Sequence, residues 1–297
     1  MKAASVIIST YNSPRALEKV LWGYASQSFR DFELLVADDG SSSETRELIE
    51  RFSAEVMPVN HVWHADKGFR KCTILNRAIA AAEAEYVILT DGDCIPRNDF
   101  VNTHITLREP GRFLSGGTVW LPKELSEQIT TDDVTAGRAT DAQWLRGHGL
   151  AQSFKGRTRL GRHPRLQGLW DRLTLTHPTL NGHNTSAWRA DLVAANGFDE
   201  RMGYGGLDRE LGERLENAGI RGKQVRHRAV CVHLFHKRGY ESDRMWQHNY
   251  AVRRETEKQR LTFTPYGISQ MPVILPFAFP QAENQPAEEV QVVRKAA

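Results

Sequence analysis

The stretch YVILTDGDCIP, residues 86–96, ends in two carboxylates, Asp91 and Asp93, that are separated by one glycine. The preceding apolar run, Tyr86 to Thr90, is typical of a buried β-strand. Alternate side chains of an extended chain point to the same face, so the two carboxylates are expected to project together from the end of the strand. Like charges held that close repel each other unless a cation joins them. The end of this strand is therefore a candidate cation site.

The sequence before this strand alternates between predicted strands and predicted helices. Strands are predicted at 4–9, 32–37 and 61–64, and helices after Ser13 and at 44–52 and 70–84. This alternation, with continuously apolar strands, favours a parallel sheet covered on both faces. Ligands of such sheets bind beyond the carboxyl ends of the strands, which here are residues 9–12, 38–40 and 91–93. Three polar clusters are therefore expected to converge on one crevice.

Composition describes an ordinary globular chain of one large domain or two smaller ones, with 297 residues, 40% of them hydrophobic, 25% charged, and a net charge of +3. The three cysteines have no paired spacing, which argues against a disulfide framework or a zinc site. A GxGxxG turn after the first strand and a GxxxxGK[ST] loop are both missing, which disfavours a nicotinamide site and a P-loop. Since neither a signal peptide nor a membrane span is recognisable, the sequence predicts a cytoplasmic protein.

Basic residues are concentrated in the segment 138–172. Apart from its ends, this segment contains Arg146, Lys155, Arg157, Arg159, Arg162 and Arg165, against only Asp141 and Asp171. One interpretation is a solvated basic loop, and the other is a surface that contacts anionic lipid or a phosphorylated acceptor. Nucleic-acid binding is not expected, because the chain has neither a recognised module nor a domain-wide positive charge.

Two further residue patterns suit a phosphate-bearing ligand. A divalent ion of the magnesium or manganese type binds through one or two carboxylates plus substrate phosphates, which fits Asp91 and Asp93. The alternative is a simple strand-ending turn, since Asp and Gly are common turn residues. Arg70 and Lys71 at the start of a predicted helix suit a pyrophosphate. The alternative is that they are exposed first-turn residues, which the helix dipole disfavours.

The segments VIISTYN (6–12), ADDGSS (37–42) and DGD (91–93) together resemble the family 2 glycosyltransferases with the GT-A fold. The resemblance implies an α/β, GT-A-type nucleotide-binding fold with a central, mostly parallel sheet flanked by helices. It also implies that Ser9, Tyr11 and Asp39 hold the nucleotide base. The D-x-D element, Asp91 and Asp93, would hold Mn²⁺ or Mg²⁺ and the diphosphate of the donor.

The segment HADKGFRK (64–71) followed by Asn76 looks like the part of these enzymes that reaches the nucleotide and diphosphate from a helix start. The residues assigned to the donor on this resemblance are Gly68, Arg70, Lys71 and Asn76.

The second half of the chain carries four segments that are similar to the galactosyltransferase-type C-terminal module of chondroitin-polymerase-like bacterial enzymes. They are NGHN (181–184), NGFDE (196–200), GYGGLD (203–208) and HLFH (233–236). The resemblance makes Asp208 the general base, although Asp is also a preferred helix N-cap. Leu207 departs from the glutamate usual in relatives, which leaves the acceptor open.

The same resemblance makes His233 a third metal ligand. His236 is the alternative, and at most one of the two can serve if the strand continues, because residues three apart on a strand face opposite sides.

The sequence thus predicts an inverting, metal-dependent glycosyltransferase that moves a sugar from a nucleotide-diphosphate sugar, a UDP-sugar by preference. The acceptor is expected to be a glycan or lipid-linked glycan of bacterial surface polysaccharide or lipopolysaccharide synthesis. Residues 1–110 are expected to bind the nucleotide-sugar, residues 111–260 to bind the acceptor, and residues 261–297 to form a wrapped or disordered tail. Peripheral contact with an anionic membrane through 138–172, at the inner face of the cell membrane, is a further expectation.

Two alternatives remain at this level. A nucleotidyltransferase of related sheet architecture would normally have a glycine-rich, basic loop after the first strand, and YNSPR (11–15) is not such a loop. A non-catalytic nucleotide- or anion-binding subunit would have no need of a base at Asp208.

Overall fold

The computed structural model describes residues 2–161, 163–237, 242–270 and 291–293. The strands are β1 (Ala4–Thr10), β2 (Phe32–Asp38), β3 (Asn60–Trp63), β4 (Tyr86–Asp91), β5 (Cys94–Pro96), β6 (Arg112–Ser115), β7 (Gly117–Trp120), β8 (Asn184–Trp188), β9 (Arg221–Gln224), β10 (Val230–His233) and β11 (Gln291–Val293). The helices are α1 (Pro14–Ala25), α2 (Ser43–Glu55), α3 (Lys71–Ala81), α4 (Phe100–Leu107), α5 (Lys123–Gln128), α6 (Thr131–Thr135), α7 (Ala142–Gly147), α8 (Phe154–Leu160), α9 (Pro164–Leu173), α10 (Arg189–Ala194), α11 (Leu207–Asn217) and α12 (Asp243–Gln259). Short 3₁₀ turns cover Arg138–Thr140 and Ile268–Gln270.

The main sheet has eight strands in the order β11-β3-β2-β1-β4-β8-β6-β9. At its centre β1 pairs in parallel with both β2 and β4, so that Ser9 lies beside Ala37 on one side and Asp91 on the other. From the second half of the chain, β8 joins antiparallel to β4 and β6. The predicted α/β fold with a central, mostly parallel sheet is confirmed, and the carboxyl ends of β1, β2 and β4 lie at one edge.

Helices cover both faces of the sheet because the central strands are apolar on both faces. In β1 every residue is buried. Val6 and Ile8 pack in one core cluster with Leu17 of α1 and Ile49 of α2. Ile7, which points the other way, packs in a second cluster that includes side chains of α3, α10 and α11. The alternation of a strand thus distributes one apolar run over two cores.

A second sheet of three strands connects the segment that follows the turn after β4 with the second half of the chain. Its order is β5-β10-β7, with β10 antiparallel to β5 and parallel to β7. This register places His233 between Cys94 and Trp120. A residue 140 positions later in the chain is thereby brought beside the D-G-D stretch.

The basic segment 138–172 is largely helical and does not form the loop of the first interpretation, because the chain forms α7, α8 and α9 there. Helices α8 and α9 contain glycines and a terminal proline that weaken the periodic signal. Within the predicted tail, Glu200 N–H donates to the Tyr266 carbonyl and Asn196 Nδ2 donates to the Thr264 carbonyl. The rest of that tail, apart from β11, lies outside the described residues, as does Arg162. Among the helices described, none is long and apolar enough to span a membrane.

Candidate functional site

Asp91 ends β4 in contact with a cation that the protein itself supplies. Its Oδ1 accepts a hydrogen bond from Ser9 Oγ at 2.7 Å and another from Lys71 Nζ at 2.6 Å. Burial alone would raise the pKa of Asp91, but the Lys71 ammonium and the two hydrogen bonds outweigh it, and the pKa is lowered far below its usual value. Asp91 is therefore firmly ionised.

Asp93 lies on the other side of the turn and faces two imidazoles. His233 Nε2 is 3.4 Å from Asp93 Oδ1, and His236 Nε2 is 3.3 Å from Asp93 Oδ2. Burial raises the pKa of Asp93, and the nearby Asp91 charge adds to the rise, while the two histidines oppose it. The two carboxylates of the motif therefore have opposite electrostatic surroundings.

The orientation of both imidazoles suits a metal ion. His233 Nδ1 lies 2.7 Å from the Leu234 carbonyl and His236 Nδ1 lies 3.2 Å from the Lys237 carbonyl. A carbonyl can only accept, so each Nδ1 is the protonated nitrogen and each Nε2 is left to bind a cation or a second proton. The donor set of Asp93, His233 and His236 consequently fits a divalent cation.

Cys94 completes a compact group with these ligands. One ligand atom each from Asp93, Cys94 and His233 lies within 4.8 Å of the others. Burial raises the pKa of the Cys94 thiol well above its usual value, and Cys94 packs in the first core cluster. The carboxylate and imidazoles are therefore the better ligands for a cation of the Mn²⁺ or Mg²⁺ type. A metal-ligand role for Asp91 stays a prediction, since its described partners are Ser9 and Lys71.

Gly92 allows the turn between the two carboxylates to lie against β1. Its N–H donates to the Ser9 carbonyl at 2.7 Å. A Cβ on residue 92 would come within 3.0 Å of that same carbonyl oxygen. A side chain there would push Asp91 and Asp93 away from the strand ends.

Asp208 lies in the first turn of α11, with Gly206 as the N-cap. The expectation that Asp208 sits at the N-cap position itself is therefore wrong. Its Oδ2 accepts the Gly182 N–H at 3.0 Å, and its Oδ1 accepts the Arg209 N–H at 2.9 Å. The side chain is partly exposed, so an acceptor hydroxyl can still reach its oxygens.

Four charged groups converge at this edge of the sheet. Burial by itself would lower the pKa of Lys71, but the charges of Asp91, Asp93 and Asp208 raise it above its usual value. One ammonium at the start of α3 thus lies within electrostatic reach of all three carboxylates. The start of α3 also offers backbone N–H groups, which together with Lys71 suit a diphosphate.

The residues predicted to hold the nucleotide base surround the turn after β2. Asp39 accepts hydrogen bonds from His64 Nε2 at 2.7 Å and from the Arg70 N–H at 2.9 Å. Tyr11 is 48% exposed, and its hydroxyl donates to Asp66 Oδ2 at 2.9 Å. The Gly68 N–H donates to Asp66 Oδ1 at 2.9 Å. The structure therefore brings the predicted residues together, with Tyr11 offering the exposed ring.

Gly40 makes this arrangement possible through a close approach. Its φ is +94°, and a Cβ there would lie 2.6 Å from Asp66 Cα. Only glycine combines that backbone conformation with so near a neighbour. The loop 64–68 can thus pack directly over the turn after β2.

Two residues assigned to the donor differ in their surroundings. Arg70 precedes α3, and its Nη2 donates to the Ala65 carbonyl at 3.1 Å. Asn76 has a structural role instead of the predicted donor contact. It is fully buried, and its amide group exchanges hydrogen bonds with Phe198 N–H at 2.7 Å and the Phe198 carbonyl at 2.8 Å. It joins α3 to the 196–200 turn, because both polar atoms face that backbone.

Two residues to which no sequence pattern assigns a role, His183 and Trp120, also lie at the site. His236 faces Asp93 together with His233 and not as its alternative. Burial lowers the pKa of His183, while the charges of Asp91 and Asp208 oppose that fall. Trp120 is 51% exposed and stacks on His233 with ring centroids 3.8 Å apart. The strand carrying His233 ends at that residue, which frees His236 to turn back towards Asp93.

The match of residues 5–114 to the model of the family "Glycosyl transferase family 2" covers β1 to β4 and the D-G-D turn. Residues 5–114 thus match a family 2 glycosyltransferase domain. The match ends before β8, so the galactosyltransferase-type module of the second half stays a prediction.

Relatives of this domain are named glycosyltransferases. The chain is 28% identical over 231 residues to a validoxylamine A glucosyltransferase of Streptomyces hygroscopicus subsp. jinggangensis, covering 73% of this chain and 52% of that protein. It is 31% identical over 104 residues to a chondroitin synthase of Escherichia coli, covering 35% of this chain and 15% of the synthase. The chain thus spans about half or less of the length of these relatives.

Solved structures share the GT-A fold with this chain. A mannosyltransferase from Pyrobaculum calidifontis, solved with GDP-Man and Mn²⁺, superposes with a TM-score of 0.52 at 19% identity, covering 87% of this chain and 62% of that one. Residues 1–349 of S. aureus TarS, solved with UDP-GlcNAc, superpose with a TM-score of 0.53 at 19% identity, covering 85% and 64%. At these identities the likeness concerns the fold alone.

Proposed function

We propose that this glycosyltransferase domain makes the chain an inverting, metal-dependent transferase that uses a nucleotide-diphosphate sugar. The observation that carries the proposal is the convergence of Lys71, Asp91, Asp93 and Asp208 at the carboxyl edge of the sheet. A binding subunit would have no use for the partly exposed carboxylate of Asp208. The proposed acceptor is a hydroxyl of a glycan or lipid-linked glycan of bacterial surface polysaccharide or lipopolysaccharide synthesis.

The proposed reaction is one displacement at the anomeric carbon. Asp208 takes the proton of the acceptor hydroxyl as its oxygen attacks, and the bond from the anomeric carbon to the diphosphate breaks. Because attack and departure occur on opposite faces, the anomeric configuration inverts. Lys71 and the N–H groups that begin α3 compensate the charge of the leaving diphosphate.

Asp93, His233 and His236 are the residues proposed to hold the metal. When bound there, a divalent cation would neutralise charge on the diphosphate. The proposed base site comprises Ser9, Tyr11 and Asp39. Gly68 belongs to the neighbouring segment proposed to reach the nucleotide and diphosphate. The named ligands of the structural neighbours include both GDP-Man and UDP-GlcNAc. A UDP-sugar therefore remains the sequence-based choice, and the predicted inner-membrane location remains a prediction.

Thermal unfolding with UDP, GDP, CMP or ADP, each with and without Mn²⁺, tests donor binding. One nucleotide is expected to raise the melting temperature only with metal, since selective binding to the folded state stabilises it. Asp93→Ala should remove this shift, while Asp99→Ala, which changes a carboxylate paired with Arg97, should retain it. A rise in melting temperature that occurs without metal and also in Asp93→Ala would contradict the proposed donor site.

Asp208→Asn separates catalysis from donor binding. This variant should keep the metal-dependent nucleotide shift and lose about 10²–10⁴-fold in kcat, as expected for a missing general base. The anomeric configuration of the product, measured by NMR, tests inversion. Retention of configuration would exclude the single displacement.

A further inference from the structure

Helix α9 lies on the protein with its polar face inward and its leucines outward. Gln167 and Asp171, one helical turn apart, are only 5% and 4% exposed. Leu166, Leu169 and Leu173 are 52%, 48% and 58% exposed. Side chains three, four and seven residues apart share a helix face, and in globular proteins the apolar face is normally the buried one. In α9 this normal order is reversed.

Specific hydrogen bonds hold the helix in this orientation. Asp171 accepts the His227 N–H at 2.8 Å and Arg228 Nε at 2.6 Å. Gln167 Nε2 donates to the Gly161 carbonyl. The outward position of the leucines is therefore fixed by polar contacts on the opposite face. Rotating the helix would separate Asp171 from the His227 N–H and from Arg228, and it would leave those donors without this partner.

Two neighbouring apolar residues extend the exposed surface. Phe154 of α8 is 66% exposed, and its ring meets Trp170 with centroids 5.3 Å apart. Leu175, two residues after α9, is fully exposed. We call the five residues Leu166, Leu169, Leu173, Phe154 and Leu175 the leucine face.

Positive charge surrounds the leucine face. Asp171 is the one acidic residue of the sequence between Asp141 and Asp191, and it is buried and paired with Arg228. Among the described residues of α8, α9 and their flanks, the exposed cations are Lys155, Arg157, Arg165 and Arg172. An apolar helix face bordered by arginines and lysines has the composition of helices that lie in the interface of an anionic bilayer.

We infer that the leucine face inserts into the surface of an anionic lipid bilayer, with Arg165 and Arg172 at the level of the phosphates. The charge complementarity favours an anionic bilayer as the partner, because Asp171, the one acidic residue between Asp141 and Asp191, is buried and paired, while the exposed charges of the segment are positive. This differs from a purely electrostatic contact of the basic segment, since the apolar side chains themselves enter the lipid.

The leucine face is connected along the chain to the proposed general base. The chain leaves α9 and reaches Gly182, whose N–H bonds to Asp208, nine residues after Leu173. Arg159 of α8 donates to the Thr118 carbonyl of β7, the strand that ends in Trp120. The inference about the bilayer stands without this connection and without the proposed reaction.

Co-sedimentation of the full chain with phosphatidylcholine vesicles, with and without 30% phosphatidylglycerol (about a third anionic lipid), tests the inference. It is done in EDTA without any nucleotide, so its outcome is independent of glycosyl transfer. Binding is expected to the anionic vesicles alone. Leu169→Ser/Leu173→Ser should weaken the partition coefficient about tenfold or more, because two apolar insertions are lost.

Matched variants separate the alternatives. Val56→Ser/Val193→Ser changes two exposed apolar residues elsewhere, at 37% and 40% exposure, and should bind as the wild type does. Arg165→Glu/Arg172→Glu should weaken binding and reduce its dependence on salt. Unaltered melting temperatures would show that the variants are folded.

Three results would overturn the inference. The first is that the wild type does not bind anionic vesicles. The second is that Arg165→Glu/Arg172→Glu abolishes binding while Leu169→Ser/Leu173→Ser leaves it unchanged. The third is that the wild type is a dimer and that the leucine substitutions dissociate it. The second would mean an electrostatic contact only, and the third would mean an interface between copies.

Discussion

Asp91 and Asp93 leave the same strand end, yet different groups contact their carboxylates. Asp91 is held by Lys71 and Ser9, and its pKa is lowered. Asp93 faces His233 and His236, and burial raises its pKa. The protein pairs one carboxylate with its own ammonium and places the other beside two imidazoles. The difference teaches that the two carboxylates of one D-G-D motif can have different partners, and it motivates the proposal that Asp93 is the one directed to a metal.

The largest expected effect comes from Asp93→Asn. Loss of the central metal ligand should lower kcat/KM about 10³-fold or more, since a metal supplies several kcal/mol of charge stabilisation. Initial rates over a Mn²⁺ series would measure it, with Asp99→Asn as the control carboxylate. Activity within about tenfold of wild type would end the assignment of the metal to Asp93.

The histidines should have the next largest effect. His233→Ala and His236→Ala should each lower Mn²⁺ affinity about 10–100-fold, because both Nε2 atoms face Asp93. Titration of Mn²⁺ by electron paramagnetic resonance with nucleotide present would measure this, and His177→Ala, on the surface beside Glu216, is the control. A loss of Mn²⁺ affinity in His233→Ala alone would mean that His233 is the single histidine ligand, as the sequence predicts.

Lys71→Met should weaken binding of the diphosphate of the nucleotide and leave binding of the nucleobase unchanged. Affinity for the nucleoside diphosphate should fall about tenfold, as for one charge-assisted hydrogen bond, while that for the monophosphate changes little. Isothermal titration with both nucleotides would measure the ratio, with Lys123→Met on α5 as the control. An equal loss of affinity for both nucleotides would mean that Lys71 stabilises the fold and does not act on the diphosphate.

The smallest effect is also the most direct test of the Asp91 and Asp93 comparison. In EDTA at pH 8, Asp91→Asn should lower the free energy of unfolding by about 1 kcal/mol, because the ion pair with Lys71 is lost. Asp93→Asn should leave it unchanged or raise it, since an amide is less costly to bury than a carboxylate with a raised pKa. Chemical denaturation would measure both, and equal losses would mean that the carboxylates are equivalent.

Local pattern predicted the first half of the chain well. The expected strands at 4–9, 32–37 and 86–90 correspond to β1, β2 and β4, because their apolar runs are buried on both faces. The convergence of their carboxyl ends followed from parallel pairing. Asn76 was misjudged, since its partner Phe198 lies 122 residues further along the chain and has no local signal.

The amino-acid sequence by itself determined the parallel sheet, the family 2 glycosyltransferase domain and the strand end that carries Asp91 and Asp93. These depend on periodicity and on order along the chain, which are local properties. Tertiary structure alone decided that Lys71 pairs with Asp91, that His236 turns to Asp93, and that α9 faces its leucines outward. The periodicity of α9 shows two faces but not which one is buried, because that choice is made by the His227 and Arg228 partners of Asp171, more than 50 residues away.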